Sequence, residues 1–117
     1  MIRTSTHFKQ ISQKSSEVKD VYWLYATRLT GTYPPDSANS GKWLIFRHES
    51  HIDELWVKIK QATENGILGR SSKVATAKPN SNAQENGTKV ICVYTYNWTD
   101  EEDVMQIRNE LRGLGSR

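Results

Sequence analysis

Hydrophobic and polar positions follow one another along this chain in a pattern that predicts four strands and two amphipathic helices. Runs rich in aromatic and β-branched residues predict strands over residues 21–28, 42–47, 67–78 and 89–97. Apolar side chains recur at spacings of three and four over residues 50–66 and 99–113, which is typical of helices with one buried stripe. The predicted order is therefore strand, strand, helix, strand, strand, helix.

The residues at the start of each predicted helix carry capping signals. Ser50 with Asp53 and Thr99 with Glu102 match the capping box, in which a hydroxyl and an acidic side chain bind free backbone N–H groups. The acidic run over residues 100–103 also complements the positive end of a helix dipole. We expect the two helices to begin at these residues.

Two helices of this kind can cover one face of a four-stranded sheet, so the expected fold class is α+β with two layers. The other face of the sheet would stay open to solvent. The first and fourth strands are apolar on both sides, which indicates central positions in the sheet. Residues 1–19 are polar and without periodicity, so we expect a flexible N-terminal segment there and a single domain over residues 20–117.

Composition and targeting features indicate a globular protein of the cytoplasm. Hydrophobic residues make up 36% of the chain and charged residues 25%, which is typical of a folded domain. No apolar run reaches the ~18 residues that a membrane span needs, and the first residues lack the apolar stretch of a signal peptide. Cys92 is the only cysteine, which excludes an intrachain disulfide and fits a reducing compartment. We therefore expect a cytoplasmic protein with no membrane partner.

Positive charge is concentrated in the third predicted strand. The net charge of the chain is only +3, yet residues 67–78 contain Arg70, Lys73 and Lys78 and no acidic residue. Such a local excess favours an anionic partner even when the total charge is modest. The alternative is that these bases keep the strand soluble or protect a sheet edge from pairing with another chain. Because side chains alternate along a strand, Lys73 would face away from Arg70 and Lys78.

The residue patterns do not predict a catalytic, metal or cofactor site. Cys92 lies among apolar residues, where a thiol is expected to be buried and unreactive. His48 and His51 lie three residues apart without a third ligand nearby, which is a weak pattern for a metal centre. The chain also lacks a glycine-rich phosphate loop.

Basic and aromatic side chains on the predicted strands supply the candidate ligand-binding residues. Lysine and arginine would hold phosphate groups, and aromatic rings would stack on a base or sugar, as in several RNA-binding modules. The candidates for phosphate are Lys42, Arg47, Arg70, Lys73 and Lys78, and those for stacking are Tyr25, Trp43 and Tyr94. We expect these side chains to border the open face of the sheet.

Three segments of the chain resemble a known family. GKWLIF, LWVKIKQATENGILGRSSKVAT and VICVYTYNWTDEEDVMQIRNELRGLG are similar to the Bles (basophilic leukaemia expressed protein) family, and the similarity extends over residues 21–115. The resemblance implies a fold similar to the cap-binding translation initiation factor 4E, a curved, mainly antiparallel sheet backed by helices. It gives Lys73 the most weight, because Lys73 lies inside the shared motif LGxxxKVxT. Cap binding itself is not expected, because the segment that would carry the second stacking tryptophan is absent.

Three functions stay open at the level of the sequence. The first is a non-catalytic module that binds RNA, a nucleotide or another phosphate-bearing ligand on the open sheet face. The second is an enzyme that eliminates phosphate, implied by the phosphothreonine lyase label of some family members, with Lys73 and His48 as base and acid. The third is an adaptor that binds a partner protein through the surfaces of its helices.

Overall fold

Four antiparallel strands and two helices form the fold in a computed structural model, which describes residues 14–78 and 87–115. A short 3-10 helix at Ser15–Glu17 precedes them. The strands are β1 (Trp23–Thr27), β2 (Gly41–His48), β3 (Ser71–Ala75) and β4 (Thr88–Thr95), and the helices are α1 (Glu49–Glu64) and α2 (Glu101–Gly113). The predicted α+β fold class and the predicted order of elements are confirmed.

The strands lie in the order β1-β3-β4-β2, and every neighbouring pair is antiparallel. The central position predicted for the fourth strand is confirmed, but the one predicted for the first strand is wrong, because β1 is an edge strand. Its second apolar side is not buried: Tyr25 is 63% exposed. The basic strand β3 lies inside the sheet, so its charges do not protect an edge.

Both helices pack on the same face of the sheet. The helix side of the core consists of Ile52, Leu55, Trp56, Ile59, Ala62, Ile107 and Leu111, and the sheet side of Ala26, Ile45, Val74, Ile91 and Val93. Removing this apolar surface from water is the main favourable contribution to folding. Since successive strand residues point to opposite faces, the neighbours of the buried strand residues must lie on the other face of the sheet.

The helix caps differ from those predicted. The Nδ1 atom of His48 accepts from the backbone N–H of Ser50, and the carboxylate of Asp100 accepts from the N–H of Asp103. The predictions of Ser50 and Thr99 as caps are therefore wrong. Strand β2 runs directly into α1, which places the side chain of His48 at the first turn. The Thr99 hydroxyl donates instead to the Asn97 side chain.

The first described residues are attached to the folded domain. The Ser15 hydroxyl and the Ser16 backbone N–H both donate to Oδ1 of Asp53 at 3.0 Å, and Ser15 is fully buried. The backbone N–H of Ala77 donates to the carbonyls of Ser15 and Val18. The predicted domain boundary at residue 20 thus lies after residues that already make tertiary contacts. Residues 1–13 of the predicted flexible segment lie outside the described residues.

The loop between β1 and β2 is held by Arg28 and Tyr33. The Arg28 guanidinium donates to the carbonyl of Leu68 at 2.6 Å and lies 4.9 Å from the centroid of the Tyr33 ring. The Tyr33 hydroxyl donates to the carboxylate of Asp103 at 2.5 Å, and the Thr95 hydroxyl donates to the same oxygen at 2.8 Å. Burial, followed by this bond to Asp103, raises the pKa of Tyr33 to about 12. These contacts connect the loop to both β4 and α2.

Candidate functional site

The face of the sheet opposite the helices, here called the open face, carries four of the eight candidate ligand-binding residues. Alternate positions of each strand form it: Trp23, Tyr25 and Thr27 of β1, Ser71, Lys73 and Ala75 of β3, Thr88, Val90, Cys92 and Tyr94 of β4, and Lys42, Leu44, Phe46 and His48 of β2. None of these positions holds an acidic residue. The side chains of Tyr25, Leu44 and Phe46 are 63%, 49% and 48% exposed.

The strand register aligns four of these residues in a row across the whole sheet. Tyr25 pairs with Lys73, Lys73 with Cys92, and Cys92 with Leu44. Lys73 therefore stands in the interior of the open face, beside an exposed aromatic ring on one side. The two ends of the row differ in chemistry, since the β1 side is aromatic and the β2 side is aliphatic.

Two flanking rows follow from the same register. On one side, Trp23 pairs with Ala75, so the indole is the diagonal neighbour of Lys73. On the other side, Lys42 pairs with Tyr94. Each lysine of the open face therefore has an aromatic side chain within reach on a neighbouring strand.

Both lysines place their ammonium groups over those rings. The Nζ atom of Lys73 lies 3.9 Å from the centroid of the Trp23 ring, and that of Lys42 lies 5.9 Å from the centroid of the Tyr94 ring. Such cation–π contacts contribute about 0.5–1 kcal/mol each at exposed sites. They favour side-chain conformations that keep both ammonium groups on the open face.

The field of the two lysines reaches the thiol between them. Burial raises the pKa of Cys92, and the positive charges of Lys42 and Lys73 offset part of that increase. The Cys92 side chain is 2% exposed, because its neighbours in the sheet carry longer side chains. The raised pKa and the burial both fit the unreactive thiol that the sequence predicts.

Four of the predicted ligand-binding residues come together on the open face: Tyr25, Lys42, Lys73 and Tyr94. Two others do not. Trp43 packs against the hydrophobic core on the helix side, and the Arg47 guanidinium donates to the carbonyls of Phe46 and Gly115. Each lies an odd number of residues from Lys42 along β2, so its side chain points to the other face of the sheet and cannot share a site with Lys42.

Arg70 and Lys78 lie beyond the two ends of β3, which is shorter than the predicted strand. Arg70 donates to the carbonyl of Pro34 at 3.3 Å. The Nζ atom of Lys78 lies 4.5 Å from the centroid of the Tyr22 ring. The three bases of residues 67–78 therefore lie at three separate places. Trp23 was not among the predicted site residues, yet its ring contacts the Lys73 ammonium group on the open face. Trp23 lies two residues before Tyr25 in the same strand, and this spacing could have predicted that the two rings share a face.

The residues considered for a lyase are far apart. His48 pairs with Thr88 of β4, whereas Lys73 pairs with Cys92. Two strand spacings and four residues along the strand separate their Cα atoms by about 17 Å. The Lys73 ammonium group lies over the Trp23 ring of β1, on the side away from β2, so the structure does not bring the two side chains together.

The side chains that could bind a metal ion lie apart from one another in the described residues. Across residues 14–78 and 87–115, no three side chains of His, Cys, Asp or Glu gather into a group that could hold a metal ion. In that same part of the chain, neither helix has the length and apolar character required to cross a membrane.

One protein-family model matches almost the whole chain. The model of the family described as "Basophilic leukemia-expressed protein Bles03" matches residues 9–116, so the chain belongs to this family. The resemblance drawn from the three sequence segments is thereby confirmed. The further similarity to the fold of translation initiation factor 4E stays a prediction.

Proposed function

We propose that this member of the Bles03 family is a non-catalytic module that binds single-stranded RNA or a nucleotide on the open face of its sheet. One observation carries the proposal. Lys73 stands in the middle of that face, with its ammonium group 3.9 Å from the Trp23 ring and the exposed Tyr25 directly opposite it. A cation and two rings on one surface match a phosphate joined to a flat base.

The phosphate groups of the ligand would be held by Lys73 and Lys42. None of the strand positions that form the open face holds an acidic residue that would weaken their attraction for anions. Two strand spacings and two residues along the strand place their Cα atoms about 12 Å apart. A ligand with more than one phosphate, such as a short oligonucleotide, would use both charges, whereas inorganic phosphate would use only one.

The bases of the ligand would stack on aromatic side chains of β1. Tyr25 is 63% exposed and presents its ring beside Lys73. Stacking of one base on an aromatic side chain contributes about 1–3 kcal/mol and depends little on which base it is. The proposed binding is therefore tolerant of sequence.

The setting of this activity would be the cytoplasm, a reducing compartment that suits a chain with one buried thiol. The other two functions considered from the sequence lack a comparable observation. The Cα atoms of the two residues considered for a lyase lie about 17 Å apart. The exposed apolar residues Val57 and Met105, which an adaptor could use, lie on different helices.

A titration at two salt concentrations tests the proposal. Fluorescence anisotropy of a labelled single-stranded RNA should rise with wild-type protein at about 50 mM salt and much less at about 200 mM, because bound phosphates release counterions. Lys73→Ala should weaken binding and reduce the salt dependence. Lys58→Ala is the matched control, because Lys58 is an exposed lysine on α1. If neither RNA nor a mononucleotide binds wild-type protein at the lower salt, the proposal is wrong.

A further inference from the structure

Strand β1 forms one edge of the sheet with a row of unpaired backbone groups. The N–H of Arg28 donates to the carbonyl of Arg70, and the N–H of Thr76 donates to the carbonyl of Tyr22. The N–H and C=O groups of the even-numbered residues of β1 therefore point toward β3. In an antiparallel ladder the alternate residues point the other way, so Trp23, Tyr25 and Thr27 direct their N–H and C=O groups outward. Within the described residues no strand pairs with this edge.

A groove runs beside this edge, between β1 and α1. Its volume is about 430 Å³, and residues of both elements line it, among them Leu24, Ala26, Leu29, Trp56, Lys60 and Glu64. Leu29 is 74% exposed although it is apolar. The two charged residues form an ion pair with 2.5 Å between Nζ and Oε2, so the groove holds no net charge. An uncharged extended segment fits both the edge and the groove.

The sequence of β1 contains none of the features that prevent another strand from pairing with an exposed edge. Natural proteins protect exposed edges with charged side chains, prolines or bulges. The strand WLYAT has no charged residue, proline or glycine. The other edge of the sheet differs, because β2 carries Lys42, Arg47 and His48. The unprotected edge is therefore specific to β1.

We propose that β1 of a second copy of this chain binds here, so that the protein forms a twofold-symmetric dimer with one continuous sheet. The antiparallel arrangement centred on Tyr25 pairs the two Tyr25 residues and pairs Trp23 of each copy with Thr27 of the other. It uses all the outward backbone groups of β1 in about six hydrogen bonds. No other register of β1 against itself satisfies as many.

Charge favours a second copy as the occupant. Two β1 strands bring no charged side chains together, and each copy contributes one cation and one anion from the pair Lys60 and Glu64. Two β2 edges would instead bring Lys42 and Arg47 of both copies together. The exposed side chain of Leu29 would be covered in the β1 dimer, which removes apolar surface from water.

The dimer is independent of the proposed RNA binding, although it bears on the same sheet. Two open faces would join into one, with the row of Lys73 and Tyr25 continued into the row of the partner copy. Three strand spacings would separate the two Lys73 residues, about 14 Å.

Sedimentation of wild-type protein over a concentration series, with Thr27→Pro and Thr27→Ala, tests the dimer. The N–H of Thr27 points away from β3, so proline removes a dimer hydrogen bond without removing one from the monomer. Thr27→Pro should raise the dimer dissociation constant about tenfold to a hundredfold, whereas Thr27→Ala should leave it unchanged. Circular dichroism checks that each variant folds. If Thr27→Pro does not fold, Leu29→Glu, at an exposed position beside the groove, should give the same loss of dimer.

Two outcomes would overturn the inference. Wild-type protein that stays monomeric at every concentration contradicts it, and so does a dimer that Thr27→Pro and Leu29→Glu leave intact. A synthetic peptide with the sequence of residues 21–29 tests the edge directly. If the protein is a dimer, the peptide should dissociate it by occupying the edge. A monomeric protein that binds this peptide would assign the edge to an extended segment of another protein instead.

Discussion

The ammonium group of Lys73 lies 3.9 Å from the centroid of the Trp23 ring, across two neighbouring strands of the uncovered sheet face. The register explains this contact, because Trp23 pairs with Ala75 and Lys73 is therefore its diagonal neighbour. The lysine charge is thus held near the centre of the face, above a ring and beside Tyr25. The predictions on ligand binding start from this relationship.

Lys73→Ala should weaken RNA binding more than any change on the helix surface. Removal of one phosphate contact reduces the slope of log K against log salt by about 0.7 for a single-stranded ligand. The slope should be unchanged in Lys58→Ala, which removes an exposed lysine from α1. Anisotropy titrations of both variants over a salt series provide the measurement. Equal slopes for wild type and Lys73→Ala would show that Lys73 does not contact phosphate.

Tyr25→Ala should weaken RNA binding by about 1–3 kcal/mol, because it removes a stacking surface. The free energy of unfolding should change little, since the side chain is 63% exposed. Tyr25→Phe keeps the ring and should bind as wild type does. If the alanine and phenylalanine variants bind equally well, the ring does not stack on the ligand. Urea unfolding of the same variants separates lost binding from lost stability.

Tyr33→Phe should change how stability depends on alkaline pH. The folded pKa of Tyr33 is about 12, above its ordinary value of 10, because burial and the bond to Asp103 favour the neutral phenol. The resulting stability is fully present below pH 10 and is lost as the pH rises toward 12. Phenylalanine cannot ionise, so the variant should lose less stability than wild type over that range.

Urea unfolding of wild type and Tyr33→Phe at a series of alkaline pH values measures this difference. Below pH 10 the variant should be less stable than wild type by about 1.5–3 kcal/mol, since a hydrogen bond to a charged group is lost. Parallel stability curves across the alkaline range would show that Tyr33 is not protected from ionisation in the folded protein.

Gly69→Ala should destabilise the protein by about 1–3 kcal/mol through overpacking. A Cβ atom at this position would overlap the backbone carbonyl of Tyr94, so β3 could not enter the sheet without a shift. Gly113→Ala is the matched control at the end of α2, where an added Cβ meets nothing within 4 Å. That change should be neutral or stabilising, because alanine favours helices over glycine. Comparable losses from both substitutions in chemical denaturation would contradict the close approach at Gly69.

The sequence predicted the fold class well because the hydrophobic period distinguishes strands from helices. It could not predict the strand order, because alternation shows which face a residue lies on and not which strand lies beside it. The aromatic residues of β1 therefore suggested a central strand, whereas Tyr25 faces solvent at an edge. The caps were misplaced for a related reason: the histidine that caps α1 belongs to the end of β2.

The candidate site was only partly predictable. Lys73 and Tyr94 have the strand parity of the open face, and the sequence identified both. The predicted strand over residues 67–78 was too long, since only Ser71–Ala75 joins the ladder, and so Arg70 and Lys78 were assigned to a shared surface. Trp43 points to the helix side of the sheet and therefore cannot reach the open face. Trp23 does point to the open face, but its contact with Lys73 depends on the pairing of β1 with β3, which no local sequence pattern specifies.

Mapping of amide chemical shifts on addition of single-stranded RNA tests the central claim most directly. The account predicts that signals of Tyr25, Lys73 and Tyr94 shift together as RNA is added at low salt, whereas those of exposed α1 residues such as Lys58 stay in place. Shifts confined to the helices, or a spectrum that RNA leaves unchanged, would contradict the claim that the open face of the sheet is the binding surface.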